Sequence, residues 1–132
     1  MTEVKVAIEH ETDIVAARQA GRQLAAQVGF TSTDQTLIAT AISEVARNIV
    51  VYAQKGVIVI ARIEDGARIG VQVTARDSGP GIENLELAMR DGYSTKNSLG
   101  LGLPGARRLM DEFHLASELG QGTTVTMKKW RR

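Results

Sequence analysis

The chain has 132 residues, 16 Lys plus Arg against 15 Asp plus Glu, a net charge of +1, 43% apolar residues, 4% aromatics, 13 glycines and no cysteine. That length fits one soluble globular domain over residues 1–132, burying roughly 68% of the surface its unfolded chain exposes. Disulfides and thiolate metal sites are excluded, sequence-independent nucleic-acid binding is disfavoured, no apolar run approaches the ~20 residues of a bilayer span, and without a basic-then-apolar leader the expected compartment is the cytoplasm.

Val4, Val6 and Ile8 alternate with Lys5, Ala7 and Glu9, which predicts a half-buried opening strand. Thr12-Asp13 can start a helix of about four turns in which Ile14, Ala17, Gly21, Leu24 and Val28 form one stripe, with Gly29 as its stop. Thr31-Ser32-Thr33-Asp34 opens a second, deeply packed helix with Ile38, Ile42, Val45 and Ile49 on one face, ending by Gly56. The β-branched run Val57–Ile60 and the alternating Ile69, Val71 and Val73 are strands around a hairpin signal at Asp65-Gly66.

After Asp77 a glycine-rich stretch runs to Gly105, interrupted by a short helical segment near Leu85 to Met89. Leu101, Leu103, Ala106, Leu109 and Met110 predict a third helix. Strands at His114–Leu119 and Thr123–Lys129 follow, joined at Gly120-Gln121-Gly122. The order β-α-α-β-β-α-β-β implies an α+β two-layer sandwich, one mixed sheet covered on one face by about three helices.

Glu44 and Asn48, four residues apart, project from one strip bordering the apolar face of the second helix. They read either as surface decoration or a buried hydrogen-bonding pair, or as a base beside a Mg²⁺ ligand, since Mg²⁺ takes oxygen donors and keeps several waters. Asp77-Ser78-Gly79-Pro80-Gly81 is a permissive turn, or a strand end where a carboxylate meets an adenine amino group. Gly100-Leu101-Gly102-Leu103-Pro104-Gly105 is a flexible helix start, or a phosphate site built from free amides and the helix dipole. Its glycines match a dinucleotide fingerprint, which is rejected because no strand precedes it and no βαβ unit follows. Asp91–Ser98, with Thr95 and Lys96, is a mobile loop or a lid, and Gly122-Thr123-Thr124 is a hairpin turn or a hydroxyl supplied to the base-binding carboxylate.

Taken in order, Glu44-x-x-x-Asn48, Asp77-x-Gly79-x-Gly81, Gly100-x-Gly102-Leu103 and Gly122-Thr123 resemble the Bergerat nucleotide-binding fold of the GHKL ATPase and kinase superfamily over nearly the whole chain. Within it, the stretches Asp13–Gln19, Ala41–Asn48, Gly100–Gly105 and Arg108–Phe113 are similar to the switch serine/threonine-protein kinases of the bacterial general stress pathway. The resemblance implies an ATP- and Mg²⁺-dependent kinase acting on STAS-domain partners of the RsbS and RsbR kind in a stressosome. Once released, such a kinase activates a PP2C-type phosphatase of the RsbU kind by binding it.

By the same resemblance Glu44 is the general base, Asn48 the Mg²⁺ ligand and Asp77 the reader of the adenine amino group. Gly79 and Gly81 allow close approach, Thr95 and Lys96 belong to the lid, Gly100, Leu101, Gly102 and Leu103 meet the phosphates, and Thr123 supports the adenine site. The chain lacks the phospho-accepting helix of sensor histidine kinases, its Gly92–Gly100 lid spans nine residues, and Asn97-Ser98 stand where related anti-sigma kinases have an arginine. The rival classes are an anti-sigma factor of the same fold and a nucleotide-gated binding module with weak or no phosphoryl transfer.

Other residues carry only ordinary expectations. His10 and His114 lie at strand edges without metal-ligand spacing. Lys128-Lys129-Trp130-Arg131-Arg132 reads as a solvated terminus rather than a nucleic-acid patch, and Arg18 and Arg22 as a solvated stripe.

Overall fold

A computed structural model describes residues 3–79, 102–118 and 120–132. Strand β1 (Glu3–Ile8) leads into α1 (Glu11–Val28) and α2 (Ser32–Asn48), and one π-helical turn (Ile49–Ala53) ends the helical run. The hairpin of β2 (Gly56–Asp65) and β3 (Arg68–Asp77) follows, and then α3 (Gly102–Leu109), β4 (Glu112–Glu118) and β5 (Gly122–Trp130). The helical segment expected near Leu85 to Met89 lies outside the described residues.

The strands form one five-stranded sheet in the order β1-β2-β3-β5-β4, and each of its four pairings is antiparallel. The expected mixed sheet is thus corrected to an antiparallel one. Each hairpin pairs its own strands, and β5 docks on β3 in the opposite direction, with Thr74 facing Thr126, so no parallel pair arises among the described residues.

Helix α1 begins just ahead of its expected Thr12-Asp13 start. Asp13 acts from inside the first turn, where Oδ2 accepts from the amides of Glu9 and His10 at 2.9 Å each. These two bonds, Glu9's first, hold its carboxyl below the ordinary value of 3.8. Thr31 caps α2, its Oγ1 accepting from Asp34 N at 3.2 Å.

Helical period and strand period meet in the core. Ile38, Ile42, Val45 and Ile49 on the helical side, each no more than 1% exposed, share one cluster with Ile58, Ile60, Val71, Val73 and Met127 from the sheet. Each such side chain contributes about 1.5–3 kcal/mol on burial. Ser32–Ala53 is long and apolar enough to cross a membrane by composition, with mean hydropathy 1.2 over an 18-residue window, but half of that window is buried inside the fold. Its apolarity is therefore accounted for by the core.

The basic terminus is not the solvated tail its composition suggests. Lys129 and Trp130 are each only 7% exposed, because the β3–β5 ladder continues as far as Gly70 opposite Trp130. Lys129 Nζ donates to the carbonyl of Leu109, the last residue of α3, at 2.9 Å, which suits the negative end of the helix dipole. Trp130 Nε1 donates to Glu112 Oε2 at 2.7 Å, and Arg131 N to Ile69 O at 2.8 Å. Arg22 likewise does more than face water, its guanidinium donating to Thr36 Oγ1 at 3.0 Å and bridging α1 to α2.

Candidate functional site

Two residues one turn apart on α2 rise about 6 Å along its axis and keep to one strip of its surface. Of these, Glu44 is 3% exposed, which removes surface decoration as its role. Its Oε1 accepts the backbone N–H of Gly102 at 3.1 Å, and Arg47 stands 3.6 Å from Oε2. Gly102 opens α3 at a φ of 69°, a left-handed conformation that disfavours any side chain. The carboxylate thus sits on the positive end of a helix, where an anion is favoured. Asn48, half-buried, is the last residue of α2, and the π turn that follows ends at Gln54 with φ 72°. Such turns widen a helix and often accompany functional sites.

A second group assembles at the β3–β5 end of the sheet. Asp77, 9% exposed, ends β3, and its Oδ1 accepts from Gly79 N at 2.9 Å and from Thr123 N at 3.2 Å. Among the described residues both amide donors to this carboxylate use Oδ1, so Oδ2 is the oxygen that a ligand could meet. Thr123 meets Asp77 through its amide, while its hydroxyl pairs with Ser117 Oγ at 3.0 Å. Gly122, at φ 110°, lies so close that a Cβ would collide with the carbonyl oxygen of Asp77. A groove of about 320 Å³ opens beside this strand end, lined by Asp77, Ser78, Lys55, Gly56 and Arg76 among others.

The two groups are joined by the π turn. A Cβ on Gly79 would come 2.6 Å from Ala53 Cβ, so the turn that starts after Asn48 packs directly on the Asp77 loop. The family resemblance implies that Gly79 allows close approach of a ligand, and the neighbour it admits here is the chain's own Ala53. Gly81, Thr95, Lys96, Gly100 and Leu101 lie outside the described residues, while Leu103 is buried in the first turn of α3.

Three contributors were not singled out beforehand. Arg47 was legible as an i,i+3 partner of Glu44. Ala53 had no local signal, since it matters through Gly79, far along the chain, whereas Ser117 was legible only as the cross-strand partner of Thr123 in the last hairpin. Among the described residues no three His, Asp or Glu side chains cluster as a metal site. The donor set instead suits a hard cation held by one amide oxygen, from Asn48, and by oxygens of the ligand itself.

The chain can be compared with known proteins on this basis. Residues 8–129 match the histidine kinase-like ATPase domain family. Over 127 residues the chain is 52% identical to serine/threonine-protein kinase RsbT of Bacillus subtilis (strain 168), covering 96% of each. It is 35% identical over 113 residues to an anti-sigma F factor of Geobacillus sp. (strain WCH70), covering 80% of this chain and 75% of that one. The fold matches the crystal structure of the RsbU and RsbW domains of Rv1364c from Mycobacterium tuberculosis with a TM-score of 0.70 at 21% identity, all of this chain corresponding to 34% of that longer one. With a buried Glu44 on the opening amide of α3, Asp77 at a strand end and a family match across nearly its whole length, the chain belongs to the histidine kinase-like ATPase domain family.

Proposed function

We propose that the chain is a single Mg-ATP-dependent serine/threonine-protein kinase domain of the RsbT type. It works in the cytoplasm, phosphorylates STAS-domain partners in a stressosome and, once released, activates a PP2C-type phosphatase by binding it. The observation that carries this reading is the Glu44 carboxylate held at the N-terminus of α3, the end of a helix suited to phosphates.

Glu44 accepts the proton of a substrate serine or threonine hydroxyl as its oxygen bonds to the γ-phosphorus and the bond to the ADP leaving group breaks. Asp77 Oδ2 accepts from the adenine amino group, and Thr123 N and Gly79 N keep that carboxylate aimed by holding Oδ1. Asn48 offers its amide oxygen to Mg²⁺, which when bound neutralises phosphate charge. Gly100, Leu101, Gly102 and Leu103 are assigned to the phosphates, Gly102 with its own N–H already given to Glu44, and Thr95, Lys96 and Gly81 are assigned to the rest of the nucleotide. Incubation with Mg-ATP and a STAS-domain protein yields phosphoserine or phosphothreonine on that protein, detected by mass spectrometry. No phosphorylated residue at any Mg²⁺ concentration overturns the reading.

A second reading, an anti-sigma factor or nucleotide-gated binding module of the same fold, is supported by the 35% identity to an anti-sigma F factor. It predicts ATP-dependent retention of a sigma subunit in a pull-down, with no turnover.

A further inference from the structure

Arg47 follows Glu44 by three residues on α2 and immediately precedes Asn48. Its guanidinium lies 3.6 Å from Glu44 Oε2, with the two side chains 21% and 3% exposed. The other carboxylate oxygen, Oε1, accepts from Gly102 N at 3.1 Å. One carboxylate is therefore gripped at both oxygens, by a cation on its own helix and by the first amide of another.

The terminal torsion of a glutamate is broad, so a single contact leaves the carboxylate plane free to turn. A second contact on the opposite oxygen restrains it further. At 3.6 Å the Arg47 contact is charge pairing rather than a hydrogen bond. Its attraction holds Oε2 on the Arg47 side of the carboxylate without itself occupying an acceptor lone pair, which is compatible with a proton acceptor. Because Glu44 is buried, removing Arg47 also leaves a buried carboxylate with less charge compensation, so the folding stability of each variant is read beside its kcat.

We propose that Arg47 is a positioning residue for phosphoryl transfer, fixing the Glu44 carboxylate plane through Oε2 against the first turn of α3. This rests on Glu44 being the proton acceptor, as proposed above. Arg47 acts through Glu44 and touches neither the hydroxyl nor the phosphate in this role. A base must stand about 2.6–3.2 Å from the proton it takes, and a misplacement of about 1 Å can lower a rate by about a hundredfold.

The test compares Arg47→Gln, Arg47→Lys, Glu44→Gln and the Arg47→Gln/Glu44→Gln double variant, reading kcat, KM for ATP and fluorescent-nucleotide affinity. Arg47→Gln is expected to lower kcat about tenfold while nucleotide affinity stays within about twofold. Arg47→Lys, which keeps the positive charge on which the contact depends, restores most of the loss. In the Glu44→Gln background, where no carboxylate remains to orient, adding Arg47→Gln changes the residual rate by less than about twofold. If Arg47→Gln does not fold, Arg47→Met, which keeps the aliphatic stem, carries the same comparison.

Wild-type kcat in the Arg47 variants overturns the inference, as does an equal loss with and without Glu44, which assigns Arg47 a direct role. A Glu44→Gln enzyme that turns over normally overturns the parent reading as well, so the two failures are told apart.

Discussion

The backbone amide of Gly102 donates to Glu44 Oε1 at 3.1 Å, tying the first residue of α3 to the C-terminal part of α2 across 58 positions of sequence. One carboxylate thereby satisfies a helix N-terminus and stands where phosphates are expected. Glu44→Gln keeps an acceptor for that amide but cannot take a proton, so turnover falls by about a hundredfold or more while ATP affinity is retained. Glu44→Leu also removes the Oε1 acceptor of the Gly102 amide, and chemical denaturation is expected to show a further loss of about 1–3 kcal/mol. Equal stability of the two variants would contradict this division of roles.

Asp77 serves two amides with Oδ1 and is assigned the adenine amino group through Oδ2. Asp77→Asn can keep the first role by presenting its carbonyl oxygen to Gly79 and Thr123, which turns its NH₂ donor towards the adenine. ATP affinity is expected to fall about tenfold or more with little change in thermal stability, measured by nucleotide titration and thermal melting. Normal ATP binding by the variant would remove Asp77 from the adenine site.

Gly122 and Gly66 both have positive φ, 110° and 63°, yet only Gly122 has the Asp77 carbonyl against it, while nothing lies within 4 Å of a Cβ at Gly66. Gly66→Ala is expected to lower stability by about 1 kcal/mol, from backbone strain alone. Gly122→Ala is expected to lower it by more than about 2 kcal/mol and to weaken nucleotide binding, because relieving the collision displaces the strand end that carries Asp77. Urea titrations of both variants make the comparison, and equal losses would show that strain alone matters.

The lowered Asp13 carboxyl has a definite pH signature. Its folded value is below the unfolded value near 3.8, owing to the Glu9 and then the His10 amide. Its contribution to stability is therefore complete above that unfolded value and is lost as pH falls through the lower folded value. Thermal melting across this acid range should show a smaller stability loss in Asp13→Asn than in the parent chain. Identical acid limbs would remove Asp13 from the account.

Much of the fold was legible because local periods speak for themselves. Ile38, Ile42, Val45 and Ile49 announced α2, and Ile69, Val71 and Val73 announced β3, because a 3.6-residue helix and a two-residue strand each sort apolar side chains onto one face. Glu44 with Asn48, and Asp77 at a strand end, were legible for the same reason. The antiparallel β3–β5 pairing and the burial of Lys129 were not. Both depend on where a later hairpin docks, which no window of sequence around those residues contains.

The sequence by itself determined most of the described elements, the helical strip carrying Glu44 and Asn48, and the strand end carrying Asp77, because these follow from backbone geometry over a few residues. Only the tertiary structure decided that Glu44 meets Gly102 and that Asp77 meets Thr123, 58 and 46 positions away. Such meetings arise from the packing of apolar faces into one core, a non-directional force that brings polar groups together without encoding their partners nearby.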